Sequence, residues 1–252
     1  MMLWASTDIG RSLATPAAKG VCPGCGGDVI AKCGEHVAWH WAHVAKECDP
    51  WSEPESEWHR RWKSMFPTDW QEKTLGPHRA DVVTPKGVIE FQRSSISSEE
   101  IREREAFYGH MIWVIDANRF QLESSFQERS FAKWLWKNHY SLAYERSTSS
   151  LFDRISPDLA VKQRQHRIDQ EVASLRTQFF RNQTSHRYRW LWPAKSWKAA
   201  QKTIFFDFGE HNLRTERESN FGMITGFSWT QNGGCYFNVK WMPKSRFVSM
   251  CS

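Results

Sequence analysis

Apolar residues recur at helical spacing in EPESEWHRRWKSMF, where Trp58, Trp62, Met65 and Phe66 share a side and Pro67 ends the run. This predicts an amphipathic helix. Three short runs follow at roughly 70–75, 79–84 and 87–92, parted by the turn pairs Gly76-Pro77 and Lys86-Gly87, and they predict three strands. Ser97 stands three residues before Glu100, a capping box that opens the helix SEEIREREAFYG, which stops at Gly109. The run MIWVI, residues 111–115, reads as a buried strand. Helical patterns return over 126–140 and 157–183. The chain then turns β-rich in KTIFFDFG, FGMITGFSW and CYFNVKW, the last two around Gln231-Asn232-Gly233-Gly234, whose Asn-Gly pair predicts a hairpin. Residues 1–50 are short, loop-rich and cysteine-bearing, and the proline-containing DPWSEP after them reads as a linker. The expected division is 1–50, 51–150 and a helical and β module over 151–252.

Composition narrows the partners. The net charge of +6 favours an acidic partner, and nucleic acid is the commonest. No apolar run is long enough for a membrane span, and the start, MMLWASTDIGRS, lacks a signal peptide's basic and apolar regions. A cytoplasmic protein is the expectation, with the oligomeric state left open. Four of the six cysteines, Cys22, Cys25, Cys33 and Cys48, crowd into the first fifth of the chain, which points to a metal rather than to bridges.

Cys22-Pro23-Gly24-Cys25 sets two thiolates on one tight turn, two adjacent corners of a zinc tetrahedron. The other ligands come from His36, His40, His43, Cys33 or Cys48. On a helical turn His40 and His43 of HWAH face the same way and close the site; an all-cysteine set with Cys33 and Cys48 is the alternative. A closed four-ligand shell makes the zinc structural.

A second constellation is RADVV followed by VIEFQ. Strand alternation sets Glu90 and Gln92 on one face and Ile89 and Phe91 on the other, while a hairpin brings Asp81 to Glu90. Both carboxylates interrupt apolar stretches, where a charge is costly unless paired or metal-bound. Two converging carboxylates suit Mg²⁺ or Mn²⁺, and such an ion suits phosphodiester hydrolysis.

These motifs, CPGC, HWAH, ESEWHRRWK, RADVV, VIEFQRSSIS and REREAFYGHMIWVID, occur in that order between about Cys22 and Asp116, and the chain resembles the competence protein CoiA-like family of the PD-(D/E)XK nuclease superfamily. The resemblance implies an α/β (α+β) restriction-endonuclease-like core, a mixed central sheet flanked by helices, behind a zinc-ribbon-like start. It implies Mg²⁺ as cofactor and DNA as substrate. Asp81 and Glu90 would bind the metal, and Gln92 would stand where the superfamily's name has lysine. A glutamine can only hydrogen-bond, so the general base stays open.

On the first helix Glu55, His59 and Lys63 fall at i, i+4 and i+8 and form a polar stripe. Glu55 is the candidate for a further metal carboxylate and His59 for an orienting or proton-transfer group. Lys63, Arg79, Arg104 and Tyr108 are the candidate nucleic-acid contacts. Between 154 and 202 eleven basic residues outnumber three acidic ones, with Trp190, Trp192 and Trp197 interleaved, a composition suited to a nucleic-acid strand. The expected activity is metal-dependent DNA hydrolysis during uptake, recombination or repair. The rivals are a non-catalytic DNA-binding scaffold and an RNA-processing enzyme.

Overall fold

The computed structural model describes residues 1–45, 48–123, 125–149, 153, 155–181, 185–191, 193–209, 220–231 and 234–252. The N-terminal segment is not the loop-rich stretch expected. It forms five short antiparallel strands, β1 (Trp4–Thr7), β2 (Gly10–Leu13), β3 (Lys19–Val21), β4 (Asp28–Lys32) and β5 (His40–His43), in the order β2-β1-β3-β4-β5. Strands of three to five residues carry too few alternations to stand out in a sequence window. A bridge between Met2 and Trp41 ties the chain start back to β5. Six residues form its buried core, and Trp41 is the one large ring among them. A core this small does not hold a segment of some fifty residues without a staple.

The rest is built on a nine-stranded mixed sheet. Its first edge comes from the predicted strands, β6 (Gln71–Leu75), β7 (His78–Thr84) and β8 (Gly87–Gln92), preceded by helix α1 (Glu57–Lys63). Gly76 makes the two-residue β6–β7 turn at φ 55°, a conformation that glycine adopts without strain. Helix α2 (Ser98–Tyr108) starts at its predicted cap, where the Ser97 hydroxyl accepts the Glu100 N–H at 3.0 Å. It crosses to β9 (Met111–Asp116), which runs parallel to β8. After β10 (Leu122–Glu123) come helices α3 (Ser125–Asn138), α4 (Tyr140–Thr148) and α5 (Leu159–Arg181). Then come β11 (Ser185–Trp190), β12 (Thr203–Asp207), β13 (Phe221–Trp229), β14 (Cys235–Trp241) and helix α6 (Lys244–Cys251).

The strand order is β10-β11-β14-β13-β12-β9-β8-β7-β6. The C-terminal third, set apart at residue 151 in the sequence reading, therefore shares the sheet of β6–β9. Strands β8, β9 and β12 form a parallel trio at its centre. One face buries Val88, Trp113, Ile115, Ile204 and Phe206 with Ile101 of α2; the other buries Ile89, Phe91, Val114 and Phe205 with Trp62 of α1 and Phe247 of α6. Helices α3–α5 close their own core on Phe131, Leu135, Ala143, Ile168 and Val172. Among the described residues no helix is long and apolar enough to cross a membrane.

Candidate active site and metal centre

In the N-terminal sheet, Cys22, Cys25, His43 and Cys48 bring their ligand atoms within 4.8 Å of one another. Cys22 Sγ stands 3.9 Å from Cys48 Sγ, and Cys25 Sγ 3.3 Å from His43 Nε2. A zinc tetrahedron with Zn–S near 2.3 Å has edges of about 3.8 Å, so the four atoms match its corners. The Gly24 and Gly27 N–H groups point at the two sulfurs of the CPGC turn (3.4 and 3.3 Å). The Gly27 N–H, chief among the causes, holds the Cys25 thiol down at about 7. This Cys3His set fits a metal such as zinc. His40 does not join it. HWAH is strand β5, not a helical turn, so residues three apart face opposite sides. His40 is buried and bonds the Ala38 carbonyl through Nδ1 at 2.8 Å. Cys48 takes the place expected of His40, while Cys33 packs against the small core and the exposed His36 lies outside the cluster.

The carboxylate site lies where β7 and β8 part. Their register, Val82 opposite Ile89, continues to set Asp81 opposite Glu90. There side chains take over the ladder. The Asp81 N–H donates to Glu90 Oε1 (3.2 Å), and the Phe91 N–H donates to Asp81 Oδ2 (2.9 Å). Alternation slips at the same point, since Ala80 joins one core cluster and Val82 the other. The slip lets Asp81 address Glu90. A third carboxylate, unforeseen from the sequence, completes the rank. Gln71 opposite Val82 and Lys73 opposite Ala80 bracket Glu72 opposite Asp81. Glu72 has φ 47°, a costly conformation for a side-chain-bearing residue, and its carboxylate is anchored by the N–H groups of Leu3 and Trp4.

Two buried cations meet this row. Lys63 Nζ, from α1, lies 2.9 Å from Glu55 Oε2, 2.8 Å from Glu72 Oε1 and 3.1 Å from Asp81 Oδ1. Burial works to neutralise it, but the three carboxylates raise its pKa well above the ordinary lysine value. Arg104, from α2, donates to Glu90 Oε2 at 2.9 Å and to Glu100 and the Trp51 carbonyl. Burial first, then the Asp81 charge, pushes the Glu90 carboxyl up to about 8. Glu53, also unforeseen, accepts from Gln92 Nε2 and from Ser94, and lies 3.2 Å from His59 Nε2. His59 also donates to the Phe91 carbonyl at 3.0 Å. Burial opposes protonation of His59, but Glu53 and Asp81 outweigh it and raise its pKa.

These groups line a cavity of 30 Å³, where five carboxyl groups (Glu53, Glu55, Glu72, Asp81, Glu90) face Lys63, Arg79 and Arg104. That volume holds an ion or a water, not a nucleotide. Among the described residues, Glu55 Oε1 and Gln92 Oε1 are buried acceptors without a partner. Each oxygen of Asp81 and Glu90 accepts one of these donors, so a second lone pair is left on each. Converging carboxyl oxygens with unused lone pairs fit a hard divalent cation.

Two family models match the chain: competence protein CoiA, N-terminal domain, over residues 15–50, and competence protein CoiA, nuclease-like domain, over residues 76–195. The chain belongs to the competence protein CoiA-like family. Its nuclease-like domain associates it with a nuclease-related role in competence. No match to a curated protein or to a solved structure was found. The CoiA nuclease-like match contains Asp81, Glu90, Gln92 and Arg104; Glu55, His59, Lys63 and Glu72 fall between the two matched stretches.

The predicted nucleic-acid contacts are placed differently. Lys63 and Arg104 are each 3% exposed and committed to carboxylates, so neither offers a cation to solvent. Arg79 bonds the Met1 carbonyl and Ser52. Tyr108 packs edge-on to Trp51, and burial, then the Glu90 charge, pushes its phenol well above the usual value. Glu55 precedes α1 rather than lying on it, but its carboxylate reaches the same ammonium. In the basic arm, Trp190 and Trp197 are core residues, stacked on Phe120 and edge-on to Trp113, so neither is a stacking platform for bases. Arg154, Trp192, the side chains of Arg181 and Arg187, and the Asn232-Gly233 turn lie outside the described residues.

Proposed function

We propose that the chain is a Mg²⁺- or Mn²⁺-dependent deoxyribonuclease in which Asp81 and Glu90 hold the ion and Glu55 adds a further carboxylate. The observation that carries this reading is the opening of the ladder at Asp81 and Glu90, whose facing carboxyl groups border a cavity lined by three further carboxyl groups. A bound divalent ion would lower the pKa of an attacking water and stabilise charge on a phosphoryl oxygen. Gln92 orients Glu53 through its amide and leaves its carbonyl oxygen free to hold a water. Lys63 provides, from α1, the positive charge that Gln92 lacks, since its ammonium lies against Asp81. His59, bonded to Phe91 O and facing Glu53, positions these groups rather than moving a proton. Arg104 neutralises Glu90 and sets its orientation. The Cys3His knuckle carries zinc in a structural role.

The scaffold reading draws on two observations: Lys63 and Arg104 already neutralise much of the row, and no lysine follows Glu90 on β8. Purified protein incubated with single-stranded, duplex and branched DNA, and with RNA alongside, in Mg²⁺, Mn²⁺ or EDTA, separates the two. Metal-dependent DNA cutting that vanishes in Asp81→Asn is the expected result. Binding without cutting on every substrate and metal would overturn the enzyme in favour of the scaffold, and cutting confined to RNA would replace the substrate.

A further inference from the structure

A second cavity, of 740 Å³, lies across α1 from the carboxylate row. It sits outside the carboxyl ends of the parallel trio, where Asp116 of β9 is in register with Asp207 of β12 and Arg93 follows β8. Crevices at this position of open α/β sheets are the usual ligand sites, and the volume lies within the range of about 300–1,000 Å³ typical of small-molecule pockets.

Its wall is preorganised. The Asp207 carboxylate, 1% exposed, accepts from Trp58 Nε1 (2.9 Å), Trp62 Nε1 (2.8 Å) and Lys244 Nζ (2.7 Å) through one oxygen and from the Gly209 N–H through the other. Both indoles are thereby fixed, and the half-buried Trp58 lines the cavity. Gly209 has φ 66°, and a Cβ there would stand 2.8 Å from Asn118 Oδ1, so only glycine lets this corner form. Asn220 Oδ1, at the cavity wall, is buried with no hydrogen-bond partner among the described residues. Its three acids are already paired, Asp116 to Arg93, Asp207 to Lys244 and Glu57 to Arg60, while the lining cations Arg93 and Lys244 are 41% and 40% exposed in the side chain. Arg61 is exposed and donates a 3.4 Å bond to the Glu57 carbonyl.

We propose that this cavity binds one unpaired nucleotide of a nucleic-acid strand, with its base against Trp58 and its phosphate among Arg61, Arg93 and Lys244. An indole, an unused amide acceptor and rim cations are the complement of a base with an adjoining phosphate. A cleft of this volume admits a single splayed base and not a duplex. Arg93 links the two sites, since its backbone N–H bonds Glu53 beside the carboxylate row while its side chain lines the second cavity. The assignment rests on the nuclease reading only for its statement that the held nucleotide neighbours the phosphate being cut.

The test uses the full chain in EDTA with 5′-fluorescein octathymidylate, read by anisotropy. Arg61→Ala/Arg93→Ala is expected to weaken binding by about tenfold, whereas Lys73→Ala/Arg102→Ala, an equal charge loss at exposed positions on β6 and α2 outside the cavity, changes it by less than about twofold. As a readout that needs no variant, an octamer carrying 5-iododeoxyuridine is irradiated on the wild-type chain, and the cross-link is expected on Trp58. Equal affinity of the double variant and wild type, or cross-links confined to the exposed aromatics Trp136, Tyr140 and Tyr144, would overturn the pocket. The two readings fail separately. Cavity-dependent binding with no cutting in Mg²⁺ or Mn²⁺ removes the nuclease and keeps the pocket. Metal-dependent cutting with affinity and KM unchanged in the double variant removes the pocket and keeps the nuclease.

Discussion

The cysteine knuckle and the carboxylate row are both clusters of ligand-type side chains, but they are built in opposite ways. The knuckle gathers Cys22, Cys25, His43 and Cys48 from within 27 residues, in a sheet whose own core is five small or medium side chains and Trp41. The carboxylate row draws on residues from Glu53 to Arg104 and is embedded in the edge of a nine-stranded sheet whose core stands without it. In the first, a metal bound by the four ligands would make binding and folding one free-energy term. In the second, the fold holds like charges together and offsets them with Lys63 and Arg104. In the proposed reading a metal would stabilise the one and be positioned by the other.

Breaking the knuckle has the largest effect. Cys25→Ser, or removal of zinc by chelation, forfeits binding free energy on the order of 10 kcal/mol. The N-terminal sheet should unfold, seen as lost metal by elemental analysis and fast amide exchange over residues 1–45, while β8 and β9 stay protected. Asp81→Asn is expected to do the reverse: cutting falls on the order of 10³-fold, since several kcal/mol of transition-state stabilisation are lost, and thermal unfolding hardly moves. Lys63→Met leaves Glu55, Glu72 and Asp81 facing one another without their ammonium, a loss of about 3–5 kcal/mol. Added Mg²⁺ should recover part of that in a thermal melt; a melt indifferent to Mg²⁺ would refute the cation site.

Acid titrates the joint between the two regions. Burial works to raise the Glu72 carboxyl, but Lys63, Arg79 and the Leu3 N–H outweigh it and hold it at about 2, below the ordinary 4.5. A depressed folded value means that its contribution is complete above pH 4.5 and is lost as the pH falls toward 2, on the order of 3 kcal/mol. Denaturant melts of wild type and Glu72→Gln should therefore diverge above that window and converge at its acid end. The smallest effect is the sharpest for the zinc ligands. His40→Ala should keep one zinc per chain at a cost of about 1–3 kcal/mol for the orphaned Ala38 carbonyl, whereas Cys48→Ser should lose the metal.

Much of the architecture was legible because it is local. The strands β6–β9, the Ser97 cap and the pairing of Asp81 with Glu90 follow from alternation, turn residues and one hairpin register. Glu72 was legible too, had the turn at Gly76-Pro77 been used to pair it with Asp81 as the next turn pairs Asp81 with Glu90. The exchange of His40 for Cys48 was not: a four-residue segment reads equally as helical turn or strand, and only pairing with β4 decides between a period of 3.6 and a period of 2. Nor could composition tell core tryptophans such as Trp190 from surface ones, because both are indoles beside charges in sequence.

By itself, then, the sequence determined that Asp81 and Glu90 ride on neighbouring strands and that the CPGC thiols share one turn, since propensity and side-chain direction are set within a few residues. Tertiary structure alone decided that Lys63 and Arg104 point inward to neutralise carboxylates, that Glu53 joins them, and that a cavity opens beyond β8, β9 and β12. Each of these depends on elements far apart in the chain meeting at van der Waals distance, and burial and electrostatic pairing are properties of that meeting rather than of any residue's neighbours in sequence.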